Sequence, residues 1–227
     1  MKYYKFGSKF NFKFIVRSDL PKQSILKFYT PTSFLSKVFF YFNIYKLNIV
    51  SNKEVEYFYL KKENTLLLLK CNDPKKQKFI SYNENENKNK IKKWTFINSD
   101  GKHKILQEIK NIEILNNMPF VKHIEVPLIL DKQIDLNNSK ISFTMNEGDF
   151  LGDSSTRKLN REFLSFYFRE FSSKFSFKKN NVVFTISHGD LTPWNVKNKT
   201  QGYYILDWED LSENLLFHDI IHYQYTY

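Results

Sequence analysis

Residues 186–196 read ISHGDLTPWNV and residues 203–210 read YYILDWED. Everything else in the chain is best read outward from these two stretches. An apolar run, Val182 to Ile186, leads into His188-Gly189-Asp190, Asn195 follows Asp190 by five residues, and Asp207 ends a second apolar run, Tyr203 to Leu206. Both runs have the length and bounded character of strands, and Asn198 to Gly202 is turn material, so the order is strand, loop and hairpin. The hairpin folds the chain back, bringing Asp207 beside Asn195, while Asp190 lies at the mouth of the first strand. Phosphoryl transfer asks a protein for such a set: one carboxylate near the attacking hydroxyl and oxygen ligands for the magnesium that bridges the phosphates. Taken singly, these residues are what ordinary loops and turn caps use. Taken together, in this order and spacing, they point to one base and two metal ligands.

Upstream, Thr65 to Cys71 (TLLLLKC) and Lys78 to Tyr82 (KFISY) read as strands joined around Asn72-Asp73-Pro74, and Ile91 to Ile97 (IKKWTFI) as a third after the polar stretch Asn83 to Lys93. Ile105, Leu106, Ile109, Ile112 and Leu115 recur at helical spacing from about Lys102 to Asn117, behind an Asn98-Ser99-Asp100-Gly101 turn. Val126 to Leu130 and Ile141 to Met145 give two further strands, the second followed by Asn146-Glu147-Gly148. Ser154 to Lys174 reads as a helix with Leu159, Phe163, Phe166, Tyr167 and Phe171 on one side. Ahead of all this, Tyr3 to Val16 alternates as a hairpin does, and Thr30-Pro31 is placed to start a helix through Phe34, Leu35, Val38 and Phe42.

ISHGDLTPWNV with YYILDWED resembles the Brenner motif and metal-binding segment of the aminoglycoside phosphotransferase and choline kinase-like enzymes. The resemblance implies that Asp190 is the catalytic base, Asn195 and Asp207 are the magnesium ligands, and His188 supports the catalytic loop. Asp219, in FHDIIHY, matches more loosely the aspartate that follows the metal site in that group. Three strands, a helix and two strands is also the order of a kinase small lobe. On that frame Lys93 is the nucleotide-phosphate lysine, Glu108 its carboxylate partner fifteen residues on, and Met145 the hinge residue whose backbone would meet adenine. Lys92 competes with Lys93, and Glu113 shares the apolar arc of the helix with Glu108. The expected fold is therefore α+β, protein kinase-like and two-lobed. Its parts are an N-terminal extension over 1–60, a small nucleotide-binding lobe over 61–145 and a short, mainly helical catalytic lobe over 146–227. The expected cofactors are Mg2+ and ATP or GTP, and the expected acceptor is a hydroxyl of a small molecule.

Composition constrains the alternatives. The chain has 227 residues, 41% hydrophobic and 18% aromatic, enough to bury a sizeable core. Its net charge is +11, yet residues 186–227 carry −4 against +15 elsewhere, a basic body with an acidic end suited to anions and a cation respectively. Cys71 is the single cysteine, which excludes an intramolecular disulfide and a cysteine zinc site. The basic, alternating start lacks the apolar core of a signal peptide. The most apolar segment, Phe34 to Val50, is interrupted by Lys37, Asn43, Lys46 and Asn48 and falls short of the roughly 20 residues a span requires. A cytoplasmic protein is expected, with weak membrane-surface contact as a minor alternative. No Walker P-loop occurs, and no glycine lies between Gly7 and Gly101 to make the Cys71 to Lys78 loop glycine-rich. Three rival readings stand: a metal-dependent phosphohydrolase built on His188, Asp190, Asp207, His218 and Asp219, an inactive kinase-like binding protein, and a basic nucleic-acid-binding module.

Overall fold

The computed structural model describes residues 1–7, 12–21, 34–44, 48–60, 64–71, 77–84, 90–118, 124–137, 139–146, 160–199 and 202–226. The readings made above for Thr30-Pro31, most of the Cys71 to Lys78 loop, the centre of the Asn83 to Lys93 stretch, Glu147-Gly148 and the start of the 154–174 helix lie outside the described residues. The chain is a mixed α and β structure with one large antiparallel sheet and few helices. It divides into two compact units, Met1–Lys102 with Leu130–Leu151, and His103–Ile129 with Gly152–Tyr227.

The first unit is built on eight strands: β1 (Tyr3–Gly7), β2 (Phe12–Arg17), β3 (Asn48–Ile49), β4 (Thr65–Lys70), β5 (Phe79–Asn83), β6 (Lys90–Phe96), β8 (Ile129–Asp135) and β9 (Lys140–Asn146). They run β3-β1-β2-β4-β5-β6-β9-β8 across the sheet. The N-terminal hairpin continues the sheet, because β2 pairs with β4 through Phe14 opposite Leu69 and Val16 opposite Leu67. One face carries the core, where Tyr3, Phe12, Leu68, Phe79 and Trp94 meet Val55 and Phe58. Val55 belongs to the short helix α2 (Asn52–Tyr57), which follows α1 (Phe34–Ile44). Ser51 and Glu54 start α2 with a reciprocal capping box. Residues opposite one another on antiparallel strands share a face, so Lys93 opposite Phe143 and Ile91 opposite Met145 look away from the face of Trp94.

In the second unit, helix α3 (Gly101–Asn117, its first two residues counted with the first unit) buries Ile105, Glu108, Ile109, Asn111, Ile112 and Leu115. The sequence expects one strand over Val126 to Leu130; instead β7 (Ile124–Glu125) stops before Pro127, and β8 begins after it. Proline lacks the N–H that a continuous ladder would need there. β7 pairs in parallel with β13 (Gly202–Ile205), itself hairpinned to β12 (Val196–Lys199). Of the expected 154–174 helix, the described part is α4 (Asn160–Tyr167), which runs into a π turn at Phe168–Ser172. The chain then makes a hairpin from β10 (Ser176–Lys179) to β11 (Val182–Ser187). Its turn is Asn180-Asn181, both at positive φ of 51° and 62°, a conformation asparagine tolerates better than most residues and one that suits a two-residue hairpin. β11 also pairs with β14 (Ser212–Leu215), and α5 (His218–Thr226) follows. Phe163, Tyr167 and Phe171 are fully buried, and Phe163 packs edge-on against Tyr203 and tilted against Tyr223.

Candidate active site

β11 ends at Ser187, and the next three residues form a tightly held loop. Gly189 has φ of +84°, and a Cβ there would lie 2.2 Å from the carbonyl oxygen of Asp210, so only glycine fits between the two loops. The His188 ring is buried between two partners. Its Nδ1 accepts the Asp190 backbone N–H at 3.3 Å, which leaves Nε2 as the N–H that donates to the Leu206 carbonyl at 2.7 Å. His188 thus joins the Asp190 loop to the residue before Asp207. Its ring also lies 4.5 Å from that of Trp208.

Asp219, near the start of α5 and 2% exposed, closes the loop from beneath. Its Oδ2 accepts the backbone N–H of His188 at 2.7 Å and the Tyr167 hydroxyl at 2.8 Å, and its Oδ1 accepts the Gly189 N–H at 3.0 Å. Burial works against the charge, but His218, His188 and Tyr167 outweigh it and hold the carboxyl below the ordinary aspartate value. Burial and the adjoining carboxylate push the Tyr167 hydroxyl well above its ordinary value, keeping it a donor. Asp219 also raises the His218 imidazole, whose Nδ1 lies 3.5 Å from Oδ1, too far for a good hydrogen bond but close enough for an ion pair.

Asn195 ends a 3-10 turn over Pro193–Asn195. Its side-chain amide donates to the Asp190 carbonyl at 3.1 Å, and its own carbonyl accepts the Leu206 N–H at 2.8 Å. Asn195 is therefore tied to both Asp190 and the residue preceding Asp207. Asp207 itself adopts the left-handed conformation, φ 64° and ψ 52°, uncommon outside glycine and a feature that recurs at functional sites.

The carboxylates of Glu108, Asp207 and Glu209 come together with their oxygens within 4.8 Å of one another. Glu108 is fully buried and Glu209 nearly so, whereas Glu113, its rival in the sequence, is exposed. The loop carrying Asp207 and Glu209 is pinned to α3 by Asn111, whose amide donates to the Trp208 carbonyl at 2.7 Å, and by the Lys104–Asp210 ion pair. Partial burial opposes the Lys104 charge, and Asp210, Glu209 and Asp207 raise its value nonetheless. Three clustered carboxylates are an all-oxygen donor set, the kind a hard divalent cation selects.

The second unit thus brings together His188, Asp190, Asn195, Asp207 and Glu108. Lys93 and Met145, both buried, belong to the first unit. Sequence reasoning missed Glu209, Asn111 and His222, whose Nε2 lies 2.9 Å from Asp190 Oδ1. A signal existed for Glu209 and His222: the acid two residues beyond Asp207, and the histidine three residues beyond Asp219 on one helix. Among the described residues, no helix is long and apolar enough to cross a membrane.

No protein-family profile matches the chain, and no curated protein matches it. Among solved structures it is similar to an amicoumacin kinase, hAmiN, determined in complex with AMP-PNP, Ca2+ and Ami. The identity is 12% over 78% of this chain and 72% of that one, with a TM-score of 0.44. A likeness at that level assigns no residue and no substrate.

Proposed function

We propose that the chain is a kinase-like phosphotransferase that moves the γ-phosphate of ATP or GTP to a hydroxyl of a small molecule such as a sugar, an aminoglycoside, an amino alcohol or a glycan precursor. The observation that carries this reading is the polar lock formed by His188, Asp219 and Asn195. His188 and Asn195 tie the Asp190 loop to the residue before Asp207 and Asp219 ties the same loop to α5, while the Asp190 carboxylate stays 45% exposed for a substrate. Asp190 accepts the proton of the attacking hydroxyl. Asn195 and Asp207 would hold magnesium, with Glu209 beside them. Bound there, the ion would supply charge neutralisation for the phosphates. Lys93 would meet the nucleotide phosphates, and the backbone near Met145 would meet adenine.

The phosphohydrolase alternative needs His188 and Asp219 as metal ligands. Both ring nitrogens of His188 and both oxygens of Asp219 are already spent on the loop backbone, Leu206 and Tyr167, which weighs against it. The decisive test is magnesium-dependent nucleotide binding by calorimetry, with turnover followed by nucleoside-diphosphate release. Asp207→Ala is expected to abolish most of the binding. Asp190→Asn is expected to keep binding and slow transfer by about 10² to 10⁴. A wild-type protein that binds neither ATP nor GTP in magnesium would overturn the reading.

A further inference from the structure

α5 places two side chains on the Asp190 loop, and the function proposed above uses only the first. Asp219 receives the backbone N–H groups of His188 and Gly189. Three residues later on the same helix face, His222 reaches the side chain of the next loop residue, its Nε2 2.9 Å from Asp190 Oδ1. One helix therefore grips three consecutive residues of the loop, two by their backbone and the third by its carboxylate. The helix is itself anchored at the residue between these contacts and its end, because Tyr223 is 1% exposed and packs against Phe163.

We propose that His222 is a positioning residue for Asp190, fixing the plane of its carboxylate and dividing its two oxygens between support and chemistry. The inference rests on the phosphotransferase reading. An ionised carboxylate only accepts, so Nε2 of His222 carries the proton and donates to Oδ1. Among the described residues this is the one hydrogen bond that the Asp190 carboxylate receives. Without it the side chain, nearly half exposed, samples several rotamers, and only some present an oxygen to an acceptor. With it, Oδ2 is the oxygen left for the hydroxyl. As the acceptor oxygen bonds to the γ-phosphorus, its proton passes to Oδ2. The bond between that phosphorus and the β–γ bridging oxygen breaks, and its electron pair leaves with the nucleoside diphosphate. His222 touches neither substrate; it acts through Asp190.

The test uses the full chain with magnesium and ATP, water serving as acceptor, and follows ADP release together with nucleotide affinity. His222→Phe is expected to lower the rate by about 10- to 100-fold, the order that a misplaced reacting group costs, with nucleotide affinity unchanged. His222→Gln, which keeps an N–H donor, is expected to recover most of that rate. In an Asp190→Ala background, His222→Phe is expected to add nothing, because residues acting as a unit are not additive. A wild-type rate in His222→Phe, or the same loss in both backgrounds, would overturn the proposal and leave the phosphotransferase reading standing. Loss of nucleotide binding in the wild type overturns both. If the wild type binds ATP but does not use water, the ring 15N signals of His222 decide: a hydrogen-bonded Nε2–H lost in Asp190→Ala supports the proposal, and an unchanged spectrum overturns it.

Discussion

In the first unit Phe79 lies stacked on Trp94 with ring centroids 4.2 Å apart, the Lys140 ammonium sits over the Trp94 ring 4.2 Å from its centroid, and Phe12, Phe58 and Phe96 complete the cluster. In the second unit the Asp190 loop is fixed instead by hydrogen bonds to three buried polar side chains, His188, Asp219 and Asn195. The two regions solve different problems. Burying rings yields much free energy with little directional demand, so it can hold a sheet without dictating the position of any single atom. A buried carboxylate that accepts two backbone N–H groups fixes the loop geometrically, at the risk of leaving donors unsatisfied when it is changed.

The largest effect is expected in the ring-built region. Trp94→Ala removes a fully buried indole and should cost about 3–5 kcal/mol in urea unfolding followed by circular dichroism. If the cost is below about 1 kcal/mol, the cluster is not the core of that unit.

A smaller loss of stability, but a larger loss of site order, is expected from Asp219→Asn. The substitution replaces one acceptor oxygen by a donor facing backbone N–H groups and should cost about 1–3 kcal/mol. Hydrogen exchange at His188 and Gly189 reads the loosening of the loop directly. The same contact sets a pH dependence. Because the folded Asp219 value lies below the ordinary one, its contribution is complete above the unfolded value and is lost as pH falls through the folded value. Wild-type stability should therefore drop in acid more steeply than that of the asparagine variant, and parallel acid profiles would refute the role given to this carboxylate.

The smallest effect is expected at the rim. Lys104 and Asp210 are about a third exposed, so Lys104→Ala should cost less than about 1 kcal/mol and matter less in high salt. A larger cost, or one insensitive to salt, would mean that Lys104 steadies the acidic group of Glu108, Asp207 and Glu209 more than its exposure suggests.

Much of the fold was legible. The Tyr3 to Val16 hairpin, the strands near 65–70, 79–83, 90–96 and 140–146, and helix α3 all follow from alternation, short bounded apolar runs or helical patterning. Pro127 and the Asn180-Asn181 turn were visible signals whose consequences, a split strand and a hairpin, were outweighed by the apolar runs around them. The site was legible in part. Spacing along a loop and hairpin brings Asp190, Asn195 and Asp207 into one segment, since local backbone geometry carries them there. The helical wheel could not choose between Glu108 and Glu113, because an amphipathic period gives an arc and not a depth. In the structure Glu108 is buried and Glu113 is exposed.

By itself, then, the sequence determined the N-terminal hairpin, the strands near 65–70, 79–83, 90–96 and 140–146, helix α3 and the short-range spacing of the Asp190, Asn195 and Asp207 segment, all consequences of interactions a few residues apart. Only the tertiary structure decided that Asp219 and His222 grip the loop from α5 and that Glu108, about a hundred residues away, meets Asp207 and Glu209. Such contacts depend on which faces of distant elements are buried against each other, and no local periodicity encodes that.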